Sequence, residues 1–199
     1  KGKRLAILTN GAGPGVIATD VLENLGGKLA DFSEATSNAL RQISPECAFN
    51  PIDLSGDLHS QKLFRAFNIV LDSGEADAML IMFSPSAIAD PLVTAEKILA
   101  IYQNHPNKNR VNLLTNWLGE SSATPARRLF SNAGIPTYRT PESSVTAFMH
   151  LIRYRASQIQ LMETPHAIEQ LVGVEQQANA LLAKQNLSTL PPEQTKQLL

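Results

Sequence analysis

Short apolar runs alternate along this chain with amphipathic segments, and this alternation is the feature that most limits its possible folds. Five runs have the apolar character of buried strands, and the segments between them have the spacing of helices that cover a sheet. A strand, a helix and a second parallel strand form a βαβ unit, and repeated units place helices on both faces of the sheet. The pattern therefore predicts a doubly wound α/β domain.

The predicted sheet is parallel, has five strands and follows the flavodoxin-like order 2-1-3-4-5. The strands are predicted at residues 4–9, 28–32, 78–83, 111–115 and 135–138. The helices are predicted at residues 15–25, 33–43, 60–72, 91–102, 124–133 and from Ser143 onward. The segment between residues 44 and 57 contains Pro45, Pro51 and Gly56, and we interpret it as a structured loop with one short extended piece.

Composition and charge narrow the class of protein. Of the 199 residues, 43% are hydrophobic and 18% are charged, which is typical of a folded domain. The formal net charge of −1 gives no electrostatic reason to expect nucleic acid or a membrane surface as a partner. The single Cys47 excludes an internal disulfide and a thiolate zinc cluster. With no apolar run near the length of about 20 residues that spans a bilayer, a cytoplasmic protein is expected.

The last quarter of the sequence has a different character. The helix from Ser143 is predicted to continue to about residue 162, and the chain beyond it is rich in Gln and Ala. A further helix is predicted at 167–183, a linker at 187–192 and a helix start at Pro191. We therefore predict a domain over residues 1–157 and a helical extension over 158–199. This ending, and a first residue other than Met, indicate a piece of a longer protein.

The turn after the first strand is the strongest local signal for a binding site. Its residues are Asn10, Gly11, Ala12, Gly13, Pro14 and Gly15. At the carboxyl edge of a parallel sheet, such a turn presents backbone N–H groups and the positive end of the helix dipole to an anion. The sequence therefore predicts a phosphate or other anion site, and the alternative is a tight turn that binds nothing.

A dinucleotide site would use similar glycines. Gly11 and Gly13 are followed about 20 residues later by Asp31, as in the Rossmann fingerprint. The third glycine or alanine of that fingerprint is replaced by Val16, and Pro14 stiffens the turn. The fingerprint is therefore incomplete, and a simple anion site is the better interpretation.

A second group of polar residues is expected near the same edge. Ser84, Pro85 and Ser86 directly follow the strand at 78–83, which neighbours the first strand in the predicted order. Their hydroxyl groups suit a phosphate or carboxylate, or they cap local structure. Asn50 and Asp53 end the preceding connection, and we predict that they orient the glycine turn.

The chain contains no recognisable catalytic apparatus of its own. The histidines at positions 59, 105, 150 and 166 lack the spacing of a metal site. No serine lies in a nucleophile elbow, and no Walker-type phosphate loop is present. We therefore predict no catalytic residue and no metal site in this chain, and we interpret Trp117 as a packing residue.

Several segments, taken together and in order, resemble the NDP-forming acyl-CoA synthetases, the succinyl-CoA synthetase-like group. The glycine turn and its strand resemble the start of the last flavodoxin-like domain of those enzymes. The similarity continues, in the same order, through residues 50–57, 116–120 and 133–142. Residues 147–150 and 163–165 look closer to the bacterial Pat-type protein lysine acetyltransferases, which fuse such a region to a GNAT-type domain.

The resemblance implies a site shared between domains. In the active synthetases a histidine on another flavodoxin-like domain is phosphorylated, and an ATP-grasp domain exchanges its phosphate with nucleotide. Helix N-termini from two domains hold the phosphohistidine, and the glycine turn would be this chain's contribution. Asn10 and the loop at Ser84, Pro85 and Ser86 would lie near the acyl or phosphate end.

The resemblance also implies the cofactors and partners of the whole protein. The cofactors are ATP or another nucleoside triphosphate, Mg²⁺ and CoA, none of them bound by this domain alone. The partners are a CoA-binding domain, a phosphohistidine domain and an ATP-grasp domain, together with a small phosphate or acyl ligand. Two alternatives to this function stay open. The chain could be a non-catalytic structural or acyl-CoA-sensing module, or it could be a free-standing flavodoxin-like protein.

Overall fold

The computed structural model describes residues 2–55, 60–162 and 174–185, with side chains in the last segment described over 178–183. The chain forms two compact units, residues 1–156 and 157–199. The first unit contains the sheet, and α7 (Val174–Gln185) belongs to the second. The predictions for residues 56–59, 163–173 and 186–199, including His59, His166, the linker and the helix start at Pro191, lie outside the described residues.

The described strands and helices follow the predicted alternation. The strands are β1 (Arg4–Thr9), β2 (Lys28–Leu29), β3 (Ile52–Asp53), β4 (Ala78–Phe83), β5 (Asn112–Trp117) and β6 (Thr137–Tyr138). The helices are α1 (Ala12–Asn24), α2 (Glu34–Arg41), α3 (Gln61–Ser73), α4 (Pro91–Asn104), α5 (Thr124–Asn132) and α6 (Pro141–Met162), with a short 3-10 helix at Pro45–Ala48. None of these helices is both long and apolar enough to cross a membrane.

The sheet is parallel, with the order β2-β1-β4-β5-β6, and β3 pairs with the carboxyl end of β1. When the two-residue β3 is left out and the remaining strands are numbered in chain order, this is the predicted order 2-1-3-4-5. One face packs under α1 and α6 around Leu22 and Phe148, and the other under α2 to α5 around Phe67 and Phe130. Helices on both faces confirm the predicted doubly wound fold.

The strand boundaries differ from prediction in two instructive places. The second strand is predicted over five residues and has two, because the chain leaves the ladder after Ala30 donates to the Leu5 carbonyl. The fifth strand extends to Trp117, and the Leu118 amide still donates to the Phe83 carbonyl. Trp117 and Phe83 stack there with ring centroids 5.3 Å apart, so aromatic packing lengthens this strand pair.

Asn50 fills the gap that the short β2 leaves beside β1. Its Oδ1 accepts from the Ile7 amide at 3.0 Å, and its Nδ2 donates to the carbonyls of Leu5 and Ala30 at 2.9 and 3.0 Å. One side chain thus replaces the backbone of a missing strand residue between β2 and β3. The sequence predicted that Asn50 orients the glycine turn, whereas the structure gives it the role of completing the sheet.

Arg4 and Asp77 form an ion pair at the amino edge of the sheet. The Arg4 Nε and Nη2 donate to the two Asp77 oxygens at 2.9 and 3.0 Å, and the Arg4 amide donates at 3.0 Å. These hydrogen bonds lower the pKa of Asp77 from 3.8 to about 2. Because the folded-state pKa is the lower one, the pair stabilises the fold fully above pH 3.8 and is lost as the pH falls towards 2.

We expect Asp77→Asn to lower the free energy of unfolding by about 1 kcal/mol at neutral pH, a modest value because Arg4 is half exposed. The difference from wild type should disappear as the pH falls through that window, because the wild-type carboxyl is then protonated. Urea unfolding measured between pH 3.8 and about 2 checks this. Asp20→Asn, at an exposed position of α1, is the control. A difference that does not change with pH would contradict the assignment.

Candidate functional site

The glycine turn is shorter than the sequence predicts, because α1 begins at Ala12 and not at Gly15. Gly11 is the N-cap, and Gly13, Pro14 and Gly15 form part of the first helical turn. Proline is tolerated there because the first four N–H groups of a helix have no intrahelical acceptor. The predicted anion-binding loop is therefore mainly a helix N-terminus.

The N-terminus of α1 is open. No side chain of the described chain caps it, whereas Asp90 caps the neighbouring α4 by accepting from Leu92 and Val93. Ala12 and Gly13 are exposed, and the first turn contains no acidic residue. Their N–H groups and the positive end of the helix dipole are thus available to an anion.

The three glycines of the turn differ in what surrounds them. A Cβ on Gly11 would lie 2.6 Å from the Ser84 Oγ, and one on Gly15 would lie 2.9 Å from the Thr9 Cγ2. Close packing therefore explains Gly11 and Gly15. A Cβ on Gly13 would meet no heavy atom of the described chain within 4 Å, so packing gives no reason for a glycine there. The space above Gly13 is open in the described structure.

Thr9 organises the turn from below, and sequence analysis did not identify it as a site residue. It is buried at the end of β1, and its Oγ1 accepts from the Gly11 amide at 3.1 Å and donates to the Gly11 carbonyl at 2.8 Å. A hydroxyl that ends an otherwise apolar strand, directly before a glycine turn, was the available signal. Thr9 fixes the direction in which the chain enters α1.

Asn10 joins the turn to the loop after β4. Its Nδ2 donates to the Ser84 carbonyl at 2.9 Å, and its Oδ1 accepts from the Ser84 amide at 2.6 Å. The structure thus brings together two of the predicted site residues. Each end of the Asn10 amide makes one hydrogen bond to Ser84, so Asn10 positions the two loops against each other.

The hydroxyl groups of the β4–α4 loop have different surroundings. The Ser86 Oγ accepts from the Ala89 amide at 3.0 Å and so caps a local turn. The Ser84 Oγ is buried against Gly11 and has no hydrogen-bond partner among the described residues. Pro85 is exposed and lies close to Gly119, where an added Cβ would be 3.0 Å from the Pro85 Cγ.

Asn116 adds a second buried polar atom without a partner. It is fully buried near the end of β5, its Nδ2 donates to the Tyr138 carbonyl at 3.1 Å, and its Oδ1 has no partner in the described part of the chain. In register, Thr9, Met82, Asn116 and Tyr138 form one row across four strands. A buried polar atom without a partner is uncommon in a protein core, so the Asn116 Oδ1 distinguishes this row from the rest of the sheet.

Asp53 does not reach the α1 N-terminus by any hydrogen bond described. Its Oδ1 accepts from the Ser55 amide at 2.9 Å, and its backbone is in register with Thr9. It lines a cleft of about 360 Å³ with residues that include Glu46 and Lys62. Pro51, in the same segment, lies near α1, because a Cβ added to Gly15 would be 3.7 Å from the Pro51 Cβ.

A buried arginine holds the loop after β5. The Arg127 Nη1 donates to the carbonyls of Trp117 and Gly119 at 2.8 and 2.7 Å. Its Nη2 donates to the Glu120 carbonyl at 3.2 Å and to the Thr124 Oγ1 at 3.1 Å. Sequence analysis missed Arg127, although it falls on the apolar face of α5 beside Ala126 and Phe130, where an arginine is unusual.

Within the described residues, no cluster of His, Cys, Asp and Glu is suited to hold a metal ion. His105 makes a local structural contact instead. Its Nε2 lies 3.1 Å from an Asp72 oxygen, and its Nδ1 accepts from the Asn107 amide at 3.1 Å. It thereby connects the ends of α3 and α4.

Comparison with known proteins identifies the relatives. The chain is 32% identical over 156 residues to "Acetate--CoA ligase [ADP-forming] I" of Archaeoglobus fulgidus, covering 77% of this chain and 21% of that protein. It is 30% identical over 157 residues to "Acetate--CoA ligase [ADP-forming] II subunit alpha" of Pyrococcus furiosus, covering 77% of this chain and 34% of the subunit. The chain therefore spans about a fifth to a third of the length of these relatives. No family model matches.

A solved structure agrees on the fold. It is the dinucleotide-forming acetyl-coenzyme A synthetase 1 of Ca. Korarchaeum cryptofilum in complex with phosphate and ADP. The TM-score is 0.73 at 23% identity, over 82% of this chain and 36% of that one. The homologues of this chain are therefore ADP-forming acetyl-CoA synthetases, which are NDP-forming acyl-CoA synthetases of the kind that its motifs resemble.

Proposed function

We propose that this chain is one domain of an acyl-CoA synthetase-like protein and that its α1 N-terminus forms one wall of a phosphate or acyl site between domains. The observation that carries the proposal is the open first turn, where Ala12 and Gly13 expose their N–H groups and Gly13 leaves space above it. Oriented backbone N–H groups with a helix dipole bind phosphate without any charged side chain.

The proposal that another domain completes the site rests on two properties of α1. Its first turn contains no lysine or arginine, so on its own it supplies only dipoles and N–H groups to an anion. The next two residues, Val16 and Ile17, are 58% and 42% exposed. Apolar side chains exposed beside a polar binding position are typical of a surface that a neighbouring domain covers.

For the whole protein we propose the activity that the relatives' names describe, the ADP-forming ligation of a carboxylic acid to CoA. ATP or another nucleoside triphosphate, Mg²⁺ and CoA would bind elsewhere, on the CoA-binding, phosphohistidine and ATP-grasp domains. In a Pat-type protein acetyltransferase, the same domain would serve a region that senses acyl-CoA. Ser84, Pro85 and Ser86 would then border the acyl or phosphate group, while Asn10 holds their loop against α1.

We expect Gly13→Val to remove anion binding without unfolding the domain, because the new side chain occupies the space above the turn and its Cβ has no neighbour within 4 Å to displace. In amide-resolved NMR of the wild-type chain, inorganic phosphate should shift the Ala12 and Gly13 signals with a dissociation constant of about 1 mM or weaker. In the variant, those shifts should disappear while the melting temperature is retained.

Ala100→Val provides the control, since it adds the same branched side chain to an exposed position on α4. It should leave the phosphate response unchanged. Wild-type Ala12 and Gly13 amides that do not respond to phosphate would refute the anion site. An undiminished response in Gly13→Val would place the anion elsewhere.

The full-length protein separates the two forms of the proposal. Incubation with γ-labelled ATP, with and without acetyl-CoA, should produce acid-labile protein phosphate in a working synthetase. Gly13→Val should reduce that label, and Ala100→Val should not. Absence of label together with acetyl transfer to protein lysines would instead identify the acyl-CoA-sensing region of a Pat-type acetyltransferase.

A further inference from the structure

We infer that Arg127 is a positioning residue for the carboxyl edge of the sheet, which it orders from the β5–α5 loop across to the α1 N-terminus. The inference deepens the proposed function, because it names the residue that fixes the shape of the proposed anion site. Arg127 lies on α5, on the opposite face of the sheet from α1, and it contacts no part of the glycine turn directly.

Arg127 is buried, with 8% of the residue exposed, and among the described residues it has no close ion pair to balance its charge. The acidic oxygen that it approaches, on Glu120, is 3.9 Å from its Nη2. Its main partners are three backbone carbonyls, those of Trp117, Gly119 and Glu120. A planar fork with five donors can bind several carbonyls at once, and a lysine cannot reproduce that geometry. The guanidinium thus fixes the backbone path of residues 117–120.

That path determines how the loop meets its neighbour. Gly119 has φ +91°, a conformation that side chains disfavour, and its Cα is close to Pro85. The Leu118 amide donates to the Phe83 carbonyl at 2.9 Å, so the loop is bonded to the end of β4 as well. The residue after Phe83 is Ser84, whose backbone binds both ends of the Asn10 amide.

Three loops are therefore joined in sequence by direct contacts. Arg127 fixes the loop after β5, that loop packs and bonds against the loop after β4, and Asn10 bonds the β4 loop to the start of α1. Packed side chains and hydrogen bonds of this kind are the physical means by which one site influences another. Removing the Arg127 hydrogen bonds should therefore make the hydrogen bonds between Ser84 and Asn10 less stable.

The test uses Arg127→Met and Arg127→Lys in the 199-residue chain, with Arg4→Met as the matched control at the opposite edge of the sheet. Hydrogen exchange reports on order without any ligand. In Arg127→Met we expect the Leu118 and Ser84 amides to exchange about tenfold faster, beyond any change at the Leu80 amide in the central strand β4, which reports global unfolding. Arg127→Lys, which keeps the charge and the stem, should show a smaller effect in the same places.

Arg4→Met should instead change exchange uniformly or at the amino edge only. Faster exchange at Ser84 that equals the change at Leu80 would mean a merely structural role and would overturn the inference. If Arg127→Met fails to fold, the Arg127→Lys and Thr124→Val variants decide by the same comparison, since Thr124 supplies one of the acceptors.

A phosphate titration then separates this inference from the proposed function. Where wild type binds phosphate, Arg127→Met should weaken binding about fivefold while Arg4→Met leaves it unchanged. A wild-type chain that does not bind phosphate refutes the anion site alone, and the exchange data still decide whether Arg127 orders the loops.

Discussion

Trp117→Ala should lower the free energy of unfolding by about 4 kcal/mol, the largest effect that we expect from any single substitution in this domain. Trp117 is fully buried, stacks on Phe83 with centroids 5.3 Å apart and packs edge-on against Phe130 at 4.9 Å. Its indole N–H also donates to the Pro91 carbonyl at 3.2 Å. Removal would leave a large cavity between β5, α4 and α5 and would break the hydrogen bond from the indole to Pro91.

Urea unfolding followed by circular dichroism measures this loss, because Trp117 is the only tryptophan and its fluorescence disappears in the variant. Trp117→Phe keeps most of the ring contacts and should cost roughly 1–2 kcal/mol. Phe49→Ala, at a residue 71% exposed, is the control and should change stability by less than about 0.5 kcal/mol. Equal losses for Trp117→Ala and Phe49→Ala would show that this aromatic cluster does not stabilise the fold.

Asn50→Leu should cost about 3 kcal/mol, although it replaces a polar residue by an apolar residue of similar size. It removes the side-chain partner of two backbone groups, the Ile7 N–H and the Ala30 carbonyl, and one of the two donors to the Leu5 carbonyl, which still accepts from the Ala30 amide. Each such group left unpaired away from water costs about 1–3 kcal/mol. Chemical denaturation at neutral pH measures the loss.

Asn50→Asp provides a sharper version of the same experiment. The carboxylate still accepts from Ile7 but places negative charge against two carbonyl oxygens, so the variant should be as unstable as Asn50→Leu at neutral pH. Acidification should restore part of the stability of Asn50→Asp alone, because a protonated carboxyl donates to one of those carbonyls. Asn104→Leu, at an exposed residue with one bond within its own helix, should change little.

The fold could be predicted from the sequence because its main signals are local. The apolar runs that became β1 and β4 have the predicted bounds, and Asp90 and Ser33 cap α4 and α2 as their residue types suggest. For the second strand, a distant contact decided the outcome. The second strand ends early because Asn50, about twenty residues further on, takes the place of its backbone.

The candidate site was predicted in outline and not in detail for the same reason. The glycine turn and the Ser84 loop were identified because each follows a strand at the carboxyl edge, which is a topological rule. Whether Asn10 faces a ligand or a neighbouring loop depends on residues 74 positions away. Likewise, nothing in the spacing of Gly11, Gly13 and Gly15 separates the two that packing requires from the one that faces open space.

The two-residue length of β2 and β6 also affects how this domain can coexist with other chains. A long and flat outer strand presents a row of unpaired N–H and C=O groups, which is a template for aggregation through added strands. Here the outermost strands of the sheet offer only two residues each, and a side chain amide occupies the gap beside β1. The sheet therefore gives an incoming strand very little backbone to pair with, which disfavours edge-to-edge aggregation.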